Sequence, residues 1–236
     1  MRGSRVPSEI NFARVAAAAA FLAVAALVVV AIAFNIVLSD ANPRTETRQF
    51  LDDVVDKKNF LLAVVWLSAS VGLLLALFFL GLYQALRRWG EDYMRVALLA
   101  GLAGAAFGTL SDIPGTAFAA YIIPAWAGAS NEAARSTLLS DSAILWWVSD
   151  ANFAIVRGAL ALAALVAGLV MLRLEERVWT ALGWIGVISG VAGIFGVFEL
   201  AEEGFLVARF IQFTLLFVWL LGVGVGLWRL QPREAG

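Results

Sequence analysis

The chain has 236 residues, of which 62% are hydrophobic and only 15% are charged. Because soluble domains carry about 25% charged residues, this composition excludes an ordinary soluble protein. The net charge of -1 gives no basis for binding nucleic acid, so no nucleic-acid partner is expected. Cysteine and histidine are absent, which excludes disulfides, thiol nucleophiles and Cys or His metal ligands, and we assign no cofactor and no metal.

Apolar runs long enough to cross a bilayer recur along the whole chain. An α-helix needs about 20 apolar residues to span the hydrocarbon, and in lipid only helices and closed barrels satisfy the backbone. The sequence therefore predicts an all-α fold, a polytopic bundle of six transmembrane helices forming one integral membrane domain over residues 1–236. The predicted spans are residues 15–36, 60–82, 96–114, 152–172, 178–198 and 205–227.

The first span is longer than the apolar core of a signal peptide, which runs about 7–15 residues, so we interpret it as an uncleaved helix. The loop after it, residues 39–59, contains Phe50, Leu51 and Val54 at helical spacing among acidic residues. That pattern predicts either a short amphipathic helix on the membrane surface or a solvated helical linker.

The third span contains Gly104 and Gly108, a GxxxG pair that lets another helix approach closely. It ends near Pro114, and the apolar segment 116–126 that follows is interrupted by Pro124. We predict that this segment is either a kinked extension of the third span or a piece that re-enters the membrane. Residues 130–150 are predicted to form a second outer segment, with Asn131 as a candidate helix cap and with Trp146 and Trp147 at the membrane interface, where aromatic belts form.

The fifth span carries glycines three or four residues apart, which makes one smooth helix face. These glycines are Gly183, Gly186, Gly190, Gly193 and Gly196. We interpret this stripe as a helix-packing face. The intramembrane serines Ser68, Ser70 and Ser189 are likewise assigned to helix packing.

Basic residues divide unequally between the two ends of the six spans. Ten lie on the side of the termini and five on the other, and cytoplasmic loops are the ones enriched in Lys and Arg. The sequence therefore predicts a multi-pass protein of a bacterial plasma (cytoplasmic) membrane, with both termini cytoplasmic and an acidic outer face. Its expected surroundings are the lipid bilayer.

Ionisable residues near the outer ends of the later spans are the candidate ligand-binding residues: Asp112, Arg157, Arg209, Glu199 and Glu202. From a rise of about 1.5 Å per residue, the two arginines lie roughly 6–7 Å below the outer ends of their spans. Intramembrane charges are costly and often functional. The layer is either a cavity for an anionic head group or small solute, or a set of interhelical salt bridges.

No nucleophile or metal-protease motif (GxSxG or HExxH) occurs, so no catalytic residue is assigned. The acidic turn around Glu199 and Glu202 could serve as general acid and base, although acids in such a turn are typical of a solvated helix cap. Whether the chain is an enzyme is left open.

Two stretches carry a family resemblance. Residues 82–89 (LYQALRRW) resemble an LYPxLKK-like stretch, and residues 173–179 (RLEERVW) with 182–186 (LGWIG) are similar to a basic, tryptophan-rich turn. Both resemble the uncharacterised bacterial membrane proteins called domain of unknown function 4386, although Val178 stands where a proline is usual. The resemblance implies a six-span fold and supplies no activity.

Three classes of function remain. The first is a protein that binds a lipid or small molecule in the outer charged layer, as a transporter or sensor. The second is a structural or accessory subunit, with a membrane protein partner or a second copy seated on the glycine face of the fifth span. The third is a membrane enzyme that uses carboxylates.

Overall fold

A computed structural model of the chain describes residues 7–34, 41, 45–200 and 206–229. Within these ranges the secondary structure is helical and no β-strand occurs. The α-helices are α1 (Pro7–Ile32), α2 (Thr47–Val54), α3 (Lys58–Leu86), α4 (Glu91–Ser111), α5 (Ile113–Ala117), α6 (Ile123–Gly128), α7 (Glu132–Met171), α8 (Arg177–Gly196) and α9 (Leu206–Trp228).

Six helical stretches of the described residues are long and apolar enough to cross a membrane. They are Phe12–Ile32, Thr47–Trp89, Glu91–Gly128, Glu132–Met171, Arg177–Gly196 and Phe210–Trp228. The prediction of an all-α fold with six helices long and apolar enough to span a membrane is therefore confirmed.

The helix α7 is much longer than the span predicted within it. Its 40 residues include the whole segment 132–150, which was predicted to be an outer segment with a helix cap, as well as the fourth span. At about 1.5 Å per residue the helix is roughly 60 Å long, twice the hydrocarbon thickness. Residues 132–150 contain no proline or glycine to end a helix. The side-chain oxygen of Asn131 accepts the backbone N–H of Ala134 at 2.8 Å, which confirms the predicted N-cap.

The segment after α4 is a kinked helical continuation, which is one of the two predicted alternatives. Helix α5 leads through a π-helical turn, Phe118–Ile122, into α6. Pro114 and Pro124 lie in the first turns of α5 and α6, where their missing N–H groups interrupt the regular helical ladder.

The described residues cluster into two compact units. Unit 1 is drawn from Met1–Val24, Leu73–Ala106 and Ala154–Gly236, and unit 2 from Ala25–Gly72 and Phe107–Phe153. The unit boundaries fall within α1, α3, α4 and α7. The single domain over residues 1–236 stays a prediction.

Small residues bring the helices of unit 1 close together at several points. A Cβ atom added to Gly190 would lie 2.6 Å from the Ala161 carbonyl oxygen on α7, and one on Gly226 would lie 2.9 Å from the Trp179 ring. A Cβ atom added to Gly104 would lie 2.8 Å from the Leu160 side chain. Such approaches bring helix backbones into direct contact. Gly108, the other half of the GxxxG pair, belongs to unit 2 and has nothing within 4 Å of an added Cβ, so the predicted pair packs at one member alone.

The glycine face of α8 is covered by α7 and α9 of the same chain. All five glycines of this face are buried, and a Cβ on Gly186 would meet Ala164 on α7 and Trp219 on α9. The prediction of a packing face is confirmed. The accessory-subunit hypothesis seated a partner on this same face, and the chain's own helices leave no room for it there.

Unit 2 has an aromatic core. Phe50, Leu51 and Val54 of α2 are buried in it together with Phe118 and Trp126. The apolar side of α2 thus packs on protein, which differs from both a membrane-surface helix and a solvated linker. Because α6 and the π-helical turn offer apolar side chains to α2, burial against them satisfies its amphipathic pattern.

Candidate functional site

A cavity of about 240 Å³ lies entirely within unit 2. Its wall is mainly apolar and includes five aromatic side chains: Phe34, Phe50, Phe118, Trp146 and Phe153. Its polar lining consists of Asp112, Ser68, Ser111 and Ser149. An apolar pocket with a few converging polar groups is the usual form of a small-molecule site.

The helix break between α4 and α5 presents Asp112 to this cavity. Asp112 stands between the two helices, two residues before Pro114, and is partly buried. Its backbone N–H donates to the Thr109 carbonyl at 3.3 Å, and its carbonyl accepts the backbone N–H of Thr116 at 2.9 Å. The Ser68 side chain of α3 hydrogen-bonds to the Asp112 carboxyl. The kink and one hydroxyl therefore hold this carboxyl at the cavity wall.

Three aromatic rings of the wall contact one another. The Phe118 and Trp146 ring centroids are 5.5 Å apart, Phe50 and Phe118 are 5.8 Å apart, and Phe50 and Trp146 are 6.1 Å apart with planes at 81°. These rings come from α2, the π-helical turn and α7. Edge and tilted contacts of this kind are favourable, so the three rings fix one another in place.

The Trp146 indole N–H is a buried donor without a hydrogen-bond acceptor among the described residues. Leaving such a donor unsatisfied costs about 1–3 kcal/mol. Trp146 was predicted to lie at the membrane interface, where aromatic belts form. Its ring forms part of the cavity wall, and its position at the membrane interface stays a prediction.

Of the three serine hydroxyls in the lining, those of Ser68 and Ser111 have a described hydrogen-bond acceptor. The Ser111 hydroxyl donates to the Gly108 carbonyl at 2.7 Å, and the Ser68 hydroxyl is engaged with Asp112. A hydroxyl has one hydrogen and two lone pairs, so the oxygens of both serines remain acceptors. Ser149 is 8% exposed and completes the polar lining.

Of the predicted site residues, Arg157 belongs to unit 1 and is buried. The Gln212 side-chain amide donates to the Arg157 carbonyl oxygen at 3.1 Å, and the Ser189 hydroxyl donates to the Gln212 carbonyl oxygen at 3.2 Å. These bonds join α7, α8 and α9 inside unit 1. They support the helix-packing interpretation of Ser189 and of the backbone around Arg157.

The other predicted residues are described less fully. Arg209 lies in α9 and Glu199 in the 3₁₀ turn Val197–Leu200, but their side chains are outside the described atoms, and Glu202 is outside the described residues. Asp112 belongs to unit 2 and Arg157 to unit 1. The structure therefore assigns the cavity one of the five predicted residues, Asp112.

Sequence reasoning missed the rest of the cavity. The contact of Ser68 with Asp112 joins two helical elements and so agrees with its assignment to helix packing, but neither its place in a cavity lining nor the aromatic wall was anticipated. The signal that could have found the site is Asp112 followed by Pro114 and Gly115, which marks a charged residue at a break within an apolar helix. Nothing in the sequence pairs that break with Ser68 or Trp146.

Within the described ranges, no group of three or more carboxylates is arranged to hold a metal ion. No known protein family, curated protein or solved structure matches this chain. The resemblance to the domain of unknown function 4386 stays a prediction.

Proposed function

We propose that this chain is a non-catalytic multi-pass membrane protein that binds a small amphiphilic molecule in the unit 2 cavity, as a transporter or sensor does. The observation that carries the proposal is the cavity itself. It combines an aromatic wall with one carboxyl group at the α4–α5 break and three hydroxyl groups from α3, α4 and α7. A wall of this kind suits a ligand with an apolar body and one polar end.

One further observation supports a ligand. The wall includes a π-helical turn, an irregular element that often occurs at functional sites.

The proposal keeps the predicted class of function and changes the predicted ligand charge. An anionic ligand was predicted from Arg157 and Arg209. The described lining of the cavity contains a carboxyl group and hydroxyl groups, and it contains no Lys or Arg side chain. A carboxyl repels an anionic group, so the proposed ligand is neutral or cationic.

The proposal includes a location, a bacterial cytoplasmic membrane with both termini inside. The excess of basic residues on the side of the termini supports this orientation. In this orientation the polar residues 45–57 and 130–141 of unit 2 are on the outer side, so the cavity would receive its ligand from outside the cell.

The test is native mass spectrometry of the full chain released from mild detergent, beside Asp112→Asn and Asp141→Asn. Asp141 is a matched control because it is an exposed carboxylate of α7 in the same unit. We expect a bound small molecule on the wild type and on Asp141→Asn, and its loss or clear reduction in Asp112→Asn. A wild-type chain that carries no small molecule and takes up none from a panel of amphiphiles would overturn the proposal.

A further inference from the structure

We infer that the unit 2 cavity binds an amphipathic organic cation, an amine whose ammonium group contacts Asp112 and whose apolar body lies among the aromatic rings. The inference rests on the proposed function and specifies the ligand of that site. It follows from the hydrogen-bond inventory, the charge, the aromatic wall and the volume.

The polar end of the cavity offers acceptors. The hydroxyl hydrogens of Ser68 and Ser111 are already engaged, with the Asp112 carboxyl and the Gly108 carbonyl. What these groups can still provide is lone pairs, on the two hydroxyl oxygens and the carboxyl. The third hydroxyl, that of Ser149, can rotate to present a lone pair as well. An ammonium group has two or three N–H donors and no acceptor, so it complements such a set.

The charge balance also favours a cation. None of the ion pairs among the described residues includes Asp112, and no Lys or Arg lines the cavity with it. An ionised carboxylate within a membrane helix is costly unless it is paired with an opposite charge. A ligand ammonium supplies that charge.

The aromatic wall also favours a cationic ligand. The π faces of Trp and Phe attract a cation that lies within about 6 Å of the ring centroid, and the attraction grows as water is excluded. Phe50, Phe118 and Trp146 are already held against one another, so they need no rearrangement to receive a ligand. The same rings give an apolar body surface to pack on.

The volume limits the size of the ligand. At about 240 Å³ the cavity is smaller than the 300–1,000 Å³ of sites for drug-sized molecules. It therefore suits an amine with one ring or one short alkyl chain. A phospholipid with two acyl chains would not fit within it.

The experiment compares three probes that share one skeleton and differ in head-group charge: phenylbutylamine, phenylbutanol and phenylbutyrate. Each is titrated against the full-length chain in lipid nanodiscs, and bound probe is counted by native mass spectrometry. The variants are Asp112→Asn, the charge-retaining Asp112→Glu, and Asp141→Asn as the control for nonspecific uptake.

We expect the wild type to bind phenylbutylamine at least tenfold more tightly than phenylbutanol and to bind no phenylbutyrate. Asp112→Asn should lower amine affinity at least tenfold, down to the level of the alcohol, and leave alcohol binding unchanged. Asp112→Glu should retain most of the amine preference, which separates the loss of charge from a loss of folding. Asp141→Asn should behave as the wild type.

Other results overturn the inference in distinguishable ways. If phenylbutanol binds as tightly as the amine, the cavity is a ligand site but not a cation site, so the proposed function stands alone. If phenylbutyrate binds as tightly as the amine, the neutral or cationic ligand of the proposed function is overturned as well. If no probe binds, the charge of any molecule that copurifies with the wild type tests the inference. A neutral or anionic molecule overturns the cation inference. With no probe bound and nothing copurified, the proposed function fails too.

Discussion

The two compact units of this chain pack by different means. In unit 1 glycines and alanines bring helix backbones together, as Gly186 does against Ala164, beside a buried cluster of Trp219, Phe78 and Phe79. In unit 2 the buried core is made of large side chains, with Phe50, Phe118 and Trp126 at its centre. Both units are helical, but the break at Asp112 and the π-helical turn Phe118–Ile122 make the helices of unit 2 irregular.

That difference explains why the cavity belongs to unit 2. Helices that meet through glycine bring their backbones together and leave little volume between them. Rigid aromatic rings fill space less completely when the backbone beside them is irregular. The break at Asp112 and the π-helical turn Phe118–Ile122 supply that irregularity. The polar groups between the closely packed helices of unit 1 therefore hydrogen-bond to one another, as Gln212 does with Arg157 and Ser189. Unit 2, in contrast, retains space for a ligand.

The largest expected effect is the loss of Trp219, the largest of the fully buried rings of unit 1, which packs with Phe78 and Phe79. Trp219 is fully buried, and its ring lies 5.8 Å from that of Phe78 at 82°. Because a core packed this closely cannot collapse into the gap, we expect Trp219→Ala to lower the free energy of unfolding by about 3–5 kcal/mol. The measurement is an unfolding titration with SDS in mixed micelles.

Trp219→Phe is the control for that change. It keeps a ring beside Phe78 and removes an indole N–H that has no acceptor among the described residues. We expect it to cost less than half as much as Trp219→Ala. A Trp219→Ala protein that is as stable as the wild type would mean that unit 1 is not close-packed around this residue.

The second prediction uses the same substitution in both units. Gly190→Ala should lower the free energy of unfolding by about 1–3 kcal/mol, because the new Cβ would meet the α7 backbone. Gly108→Ala in α4 should raise it by about 0.5–1 kcal/mol, because alanine is the better helix former and nothing lies within 4 Å of the new Cβ. The same SDS titration of both variants measures whether each substitution raises or lowers the free energy of unfolding.

The opposite signs are what the comparison of the units requires. Two losses of similar size would mean that Gly108 also forms a close contact. Two gains would mean that the α7–α8 backbones have room to separate.

The helices and the site differ in how far the sequence can predict them. Hydropathy predicts the six spans because membrane insertion depends on local composition, which any stretch such as residues 15–36 carries by itself. The spacing of the α8 glycines likewise predicts a packing face, since a helix repeats every 3.6 residues. Local sequence signals also predicted the Asn131 cap, and left open two alternatives for residues 116–126, one of which the helix follows.

The cavity could not be predicted in this way, because it depends on contacts between residues distant in sequence. Ser68 meets Asp112, and Phe50 meets Trp146, only after four helical elements have packed. Depth within a span groups Asp112 with Arg157, yet these two residues belong to different units. A residue's depth is fixed by its position in the chain, whereas its neighbours are fixed by helix rotation and kinks.

The smallest effects concern the contacts that hold α2 on unit 2. The Trp126 indole N–H donates to the Asp52 carboxylate at 2.8 Å, and Trp126 is 2% exposed. We expect Asp52→Ala and Trp126→Phe each to cost about 1 kcal/mol, and the double variant to cost less than their sum by about 0.5–1.5 kcal/mol. Additive losses would show that the two side chains do not act together.

The ion pair between Arg48 of α2 and Glu132 of α7 gives the matched comparison on the same helix. Its side chains are 50% and 69% exposed, so water and salt screen the attraction, and ordering both side chains costs entropy. We therefore expect Arg48→Ala to change the free energy of unfolding by less than about 0.5 kcal/mol, and by still less at high salt. If Arg48→Ala costs more than Asp52→Ala, the exposed ion pair holds α2 on unit 2 more strongly than the hydrogen bond to the buried indole does. The stability of unit 2 would then depend on surface charge more than the burial of its aromatic core indicates.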